Sequence, residues 1–134
     1  MEYIFEYKFE VRDYECDAQG IVNNANYQHY MEHARHRFIQ TVNLDFMELT
    51  NAGIILVVAK AELQYKDSLR SNDEFVCRLN VEKEGIRYIF YEDIYRLSDN
   101  KLCTKGRFEI VAKINGRLGI AESVDKALFA AKKE

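Results

Sequence analysis

The sequence predicts an α+β fold in which an antiparallel sheet is covered by one long helix. Three observations predict it. Five segments carry the patterning of strands, while the stretch 23–42 spaces its apolar residues three and four apart. Turn signals at Glu84-Gly85 and Ser98-Asp99-Asn100-Lys101 join the later strands to their sequence neighbours, which makes them antiparallel. A sheet with one apolar face needs a cover, and 23–42 is the stretch long enough to supply it.

Taken in order, Tyr3, Phe5, Tyr7, Phe9 and Val11 alternate with charged neighbours, the pattern of a half-buried strand. Residues 13–22 have no period and contain Gly20, so they read as a loop. In 23–42, Tyr27, Tyr30, Met31, Ala34, Phe38 and Val42 share one helical face, and Asn23, Asn24 or Asn26 can cap the start. A short helical turn over 45–51 is ended by Gly53. The strand 54–66 opens as a continuous apolar run and then alternates. Phe75, Cys77, Leu79 and Val81 mark the next strand. Residues 86–97 are apolar on both faces. In the last strand Leu102, Phe108, Ile110, Ala112 and Ile114 oppose Lys105, Arg107, Glu109 and Lys113. A terminal helix is expected over 123–132.

The 134 residues suffice for one domain, 1–134, with one core. At 48% hydrophobic and 31% charged, the chain is not a disordered one. A net charge of −3 argues against nucleic acid or an anionic membrane as the main partner. The longest apolar run, 52–59, is too short to insert across a bilayer. Residues 1–9 alternate charge with apolar side chains, unlike a signal peptide. Cys16, Cys77 and Cys103 are odd in number and lack a CxxC pair, so neither a disulfide framework nor a zinc site is indicated. The expectation is a cytoplasmic protein with reduced thiols and no cofactor.

Chemistry is concentrated in Asp13-Tyr14-Glu15-Cys16-Asp17-Ala18-Gln19-Gly20-Ile21-Val22-Asn23-Asn24-Ala25-Asn26-Tyr27, followed by Glu32-His33-Ala34-Arg35. This segment resembles the 4-hydroxybenzoyl-CoA thioesterase-like branch of the hotdog superfamily through Asp17, Gly20, Val22, Asn26, Tyr27, Glu32, Ala34 and Arg35. Val22-Asn23-Asn24 and Tyr27 also look like the plant acyl-ACP thioesterases. The resemblance implies a hotdog fold, a curved antiparallel β-sheet wrapped around one long central α-helix. It implies hydrolysis of an acyl-CoA thioester, or of an acyl-carrier-protein thioester, by a homo-oligomer, either dimer or tetramer. A non-catalytic acyl-binding module is the remaining alternative.

Asp17 precedes a helix N-terminus, where free N–H groups and the positive end of the helix dipole can polarise a carbonyl. One oxyanion donor of this kind is commonly worth about 10²–10³ in rate. By position, the resemblance gives that role to the backbone N–H of Asn24. Asp17 is then a general base on water or a nucleophile, and the sequence leaves both open. Many bacterial relatives carry His at the position of Asn24. An Asn takes up no proton near neutral pH, which favours a scheme using Asp17 and the backbone alone.

Gly20 allows a tight turn and close approach of substrate. Ile21, Val22, Asn23 and Tyr27, with Val57, Val58 or Ala59, are expected to line an apolar acyl slot. Lys66, Arg70, Arg87, Lys105 and Arg107 are candidates for coenzyme A phosphates. Glu32 and Arg35 read as a structural or dimer-interface pair. His29, His33 and His36 lie on one helix with Glu32, but no further His exists and no metal site is expected.

Overall fold

The computed structural model describes residues 2–130. The chain runs β1 (Phe5–Glu10), a 3₁₀ turn (Asp13–Glu15), α1 (Asn24–Thr41), α2 (Phe46–Asn51), β2 (Ile54–Tyr65), β3 (Glu74–Glu84), β4 (Arg87–Arg96), β5 (Lys101–Ile114), β6 (Arg117–Gly119) and α3 (Glu122–Ala130). The strands form one curled antiparallel sheet in the order β1-β3-β4-β5-β2. Its two edges are therefore β1 and β2.

β4 begins at Arg87 opposite Val111, and β6 takes the next three positions of β5, Ala112 to Ile114. β2 pairs with those positions from the other side. Thus β6 extends the lane of β4. The sequence reading did not anticipate β6, because three residues are too few to show a period. The 3₁₀ turn inside the expected loop escaped for the same reason. The terminal helix begins one residue earlier than expected, and residues 131 and 132 of that expectation lie outside the described residues.

α1 lies against the concave face. Tyr27, Tyr30, Met31, Ala34 and Phe38 are buried as the spacing requires, and Val42 is half-buried. They meet Phe75, Cys77, Leu79 and Val81 of β3, Phe90 and Ile94 of β4, and Phe108, Ile110 and Ala112 of β5. The helix comes close to the sheet at Gly106. A Cβ built there would stand 2.7 Å from Met31 Sδ, so the helix sits where the sheet has no side chain.

Asn23 is the residue that caps α1; its Oδ1 accepts from the N–H of Ala25 at 3.0 Å. β2 carries a bulge between Val58 and Lys60, which leaves Ala59 without a partner in β5. Among the described residues, no helix is long and apolar enough to cross a membrane.

Candidate active site

The loop before α1 folds back on itself. Cys16 bridges Val22, and the N–H of Asp17 donates to Ile21 O at 2.9 Å. Gly20 N–H donates to Asp17 O, and Gly20 adopts φ +80°. A Cβ at Gly20 would meet nothing within 4 Å, so its glycine is required by the turn and not by crowding. Asp17 itself is exposed. Its Oδ1 accepts from the N–H of Gln19 at 2.9 Å, an Asx-turn that holds the carboxylate in place.

Contacts on two sides fix this hairpin to its surroundings. Glu15 O accepts from Asn23 N–H at 3.0 Å and from Asn26 Nδ2 at 2.8 Å. Glu15 Oε1 accepts from the Tyr30 hydroxyl at 2.9 Å. On the other side, Val22 N–H donates to Leu69 O at 2.9 Å, and Ile21 bridges Arg70. The Tyr27 hydroxyl accepts from Leu69 N–H at 3.0 Å. Tyr27 is therefore buried and occupied in joining the helix to the segment after β2.

The donors at the start of α1 can be followed one by one. Asn23 N–H goes to Glu15 O, Ala25 N–H to Asn23 Oδ1, and Asn26 N–H to Asn23 O. Among the described residues, the N–H of Asn24 has no acceptor. It is an open donor at the positive end of an 18-residue helix. Cys16 stands beside Asp17, but burial pushes its thiol above the ordinary cysteine range, which disfavours a thiolate nucleophile.

The hairpin brings Asp17, Gly20, Ile21, Val22, Asn23 and Asn24 together with Arg70. Lys66 and Arg70 are exposed, and their side chains make no salt bridge among the described residues, although the Arg70 backbone N–H donates to Asp73 Oδ2 at 2.8 Å. The other cations lie elsewhere. Lys105, Arg107 and Arg87 project from the convex face and are paired: Lys105 with Asp93 at 3.4 Å, Arg107 with Glu109 at 2.6 Å, and Arg87 with Glu109 at 2.8 Å. Val58 and Ala59 are exposed on the β2 edge. Val58 lines a second place, a cavity of about 250 Å³ beside the middle of α1, with Val57, Leu56, Phe90, Ile110 and Leu128 among its walls.

One expectation is corrected. Arg35 does not pair with Glu32, which is exposed. It pairs inside the core with Glu92 of β4, Nη1 to Oε2 at 2.7 Å, and its guanidinium lies 4.4 Å from the Phe108 ring centre. Arg35 faces the sheet with Met31 and Ala34, whereas Glu32 turns outward. Burial pushes the Glu92 carboxyl up to about 7, against the pull of Arg35. The signal was an acid in the middle of a strand apolar on both faces. The bracing role of Glu15 had no comparable signal.

A model of the Thioesterase-like superfamily matches residues 11–127. The chain is 30% identical over 102 residues to a chloroplastic acyl-acyl carrier protein thioesterase of Arabidopsis thaliana, covering 75% of this chain and 54% of that protein. It spans about half the length of the Arabidopsis relatives it matches. Among solved structures it is similar to a hypothetical protein from Aquifex aeolicus, with 28% identity, a TM-score of 0.85, and coverage of 92% of this chain and 98% of the other. It is also similar to a gentisyl-coenzyme A thioesterase, with 25% identity, a TM-score of 0.81, and coverage of 92% and 99%. The curled sheet around one long helix is the hotdog fold. With that architecture and a family match over most of its length, the chain belongs to the thioesterase-like superfamily.

Proposed function

We propose that the protein hydrolyses an acyl-CoA thioester to the free acid and thiol at the N-terminus of α1. The observation that carries this reading is the pairing of an exposed, turn-held Asp17 carboxylate with the unfilled N–H of Asn24 across one short hairpin. Family membership supports the reaction class.

In this scheme the thioester carbonyl oxygen lies on the Asn24 N–H, where negative charge develops during attack. Asp17 either takes a proton from the attacking water or attacks the carbonyl carbon itself to give a mixed anhydride that water then cleaves. In both routes the thiolate leaves and is protonated. Single turnover in isotopically labelled water is diagnostic where water cleaves the anhydride at the Asp17 carbonyl carbon, since label then enters Asp17, whereas the general-base route puts label in the product acid alone. Gly20, Ile21, Val22 and Asn23 border the reacting group. Lys66 and Arg70, next to the hairpin, are suited to the phosphates of coenzyme A.

The test is thiol release from a panel of acyl-CoA esters by wild type and Asp17→Asn. A loss of about 10²-fold or more in kcat/KM with the fold intact is expected. Undiminished activity in Asp17→Asn overturns the mechanism. A carrier-protein thioester is the second reading, favoured by the identity with the Arabidopsis acyl carrier protein thioesterase. Rates on matched coenzyme A and carrier-protein esters decide between them.

The proposed assembly is a homo-oligomer built by pairing β2 edges. β2 is a 12-residue strand hydrogen-bonded to β5 on one side, with Ile55, Val58 and Tyr65 exposed. A monomeric mass by light scattering at assay concentration overturns this arrangement.

A further inference from the structure

The cavity beside the middle of α1 is walled by Ile39, Leu56, Val58, Phe90, Ile110 and Leu128, which are apolar. Three polar side chains converge on it from the helix: Glu32, Arg35 and His36. Glu32 and His36 are exposed at its rim, whereas Arg35 is 4% exposed. Arg35 makes one hydrogen bond among the described residues, to Glu92. A guanidinium has five N–H donors. Its remaining nitrogens are not sealed in protein, since the fully enclosed, unpartnered side-chain atoms among the described residues are Asn80 Oδ1 and Thr104 Oγ1. Arg35 lines the cavity, and beyond the bond from Nη1 to Glu92 its guanidinium has no hydrogen-bond partner among the described residues.

A core ion pair alone does not require this arrangement. An unfilled donor in an apolar cavity is costly unless something accepts from it. The cavity also lies on the same helix as the proposed reaction centre. From Asn24 to Arg35 the helix rises about 16 Å at ~1.5 Å per residue. An acyl chain fixed at Asn24 and laid along the seam between α1 and β2 brings its far end to Arg35. Short acyl groups do not reach it.

We propose that this cavity is the distal acyl subsite and that Arg35 selects chains bearing a neutral oxygen, a hydroxyl or oxo group, near the end remote from the thioester. The inference rests on the thioester-site reading for where the chain begins. Glu32 at the rim and Glu92 behind the guanidinium both oppose a terminal carboxylate, so a neutral acceptor fits better than an anionic one. Specificity follows from the general rule that a site built to hydrogen-bond a substrate oxygen discriminates strongly against the analogue lacking it.

The probes are non-hydrolysable ketone analogues of medium-chain acyl-pantetheine thioesters, one plain and one with a hydroxyl at the far end. Pantetheine is the arm common to coenzyme A and carrier protein, so the carrier does not affect the result. Calorimetric binding to wild type is expected to favour the hydroxylated probe by about tenfold, as for one hydrogen bond to a charged group. Arg35→Lys keeps the charge for Glu92 but loses the planar fork, and the ratio is expected to fall to about one. His36→Trp enlarges the side chain at the cavity rim from an exposed helix position, away from the β2 edge, and is expected to weaken both probes. Equal binding of the two probes by wild type, a ratio preserved in Arg35→Lys, or binding indifferent to His36→Trp overturns the inference. Thiol release fails separately: no hydrolysis with the binding preference intact overturns the hydrolytic reading alone.

Discussion

The first turn of α1 and its middle solve opposite problems. At the first turn, polar groups stay near water and are satisfied by residues close in sequence, such as Asn23 Oδ1 for Ala25 and Glu15 O for Asn23. In the middle, Arg35 is carried into the core and meets Glu92, 57 residues away. Local satisfaction leaves one donor, at Asn24, free to be used. Remote satisfaction locks the helix to the sheet, at the cost of stripping water from two charges.

The largest expected effect breaks the second arrangement. Arg35→Met leaves Glu92 buried without its cation and is expected to lower the unfolding free energy by about 3–5 kcal/mol. Chemical denaturation measures it, and a loss below about 1 kcal/mol would show that the pair does not hold helix to sheet.

Acidity sharpens the same contrast. Burial raises the Glu92 carboxyl from 4.5 to about 7. The folded state therefore holds that proton more tightly than the unfolded chain across this window. Stability from this group falls as pH rises from about 4.5 to about 7, by at most roughly 3 kcal/mol. Asp67, held down to about 2 by Arg96, acts at lower pH: its contribution is present above its unfolded value and lost as pH falls toward 2. His36, lowered by burial, pulls the other way, since stability from a depressed histidine grows as pH rises through the ordinary imidazole range. Comparing urea midpoints at about pH 5 and 7 in wild type and Glu92→Gln isolates the carboxyl. The same pH dependence in both proteins counts against it.

The smallest effect belongs to the first turn. Asn23→Ala removes the acceptor for Ala25 N–H and is expected to cost about 1 kcal/mol. It frees a second donor beside Asn24, so thiol release should change more than a surface cap alone predicts. Unaltered kinetics would separate the cap from the proposed reaction centre.

This contrast also sets what could be read in advance. The face of α1, a cap among its first asparagines, and the alternating strands all rest on neighbours a few residues apart, so composition and period reveal them. The loop that gathers Asp17, Gly20 and Asn24 before the helix was legible for that reason and because their spacing resembles a known motif. The partner of Arg35 depends on the register of β4 under the helix, which no local period encodes. The cationic candidates divide by strand geometry. Arg87, Lys105 and Arg107 were correctly placed on strands, but strand alternation puts them on the convex face, away from the helix N-terminus. β6 and the Ala59 bulge were too short to leave a pattern.

The edge strand β2 has a consequence for handling the protein. A free strand edge accepts any other strand, including one from a misfolded copy. Here the bulge at Ala59 interrupts the edge, and the ion pair Lys60–Glu62 follows it directly. What remains flat and apolar is the segment from Ile54 to Val58, with Ile55 51% and Val58 46% exposed. That segment is where aggregation on heating or concentration would begin. A single charge at Ile55 lies outside the hairpin and the cavity lining but on the edge that the proposed homo-oligomer pairs, so it sets resistance to aggregation against assembly.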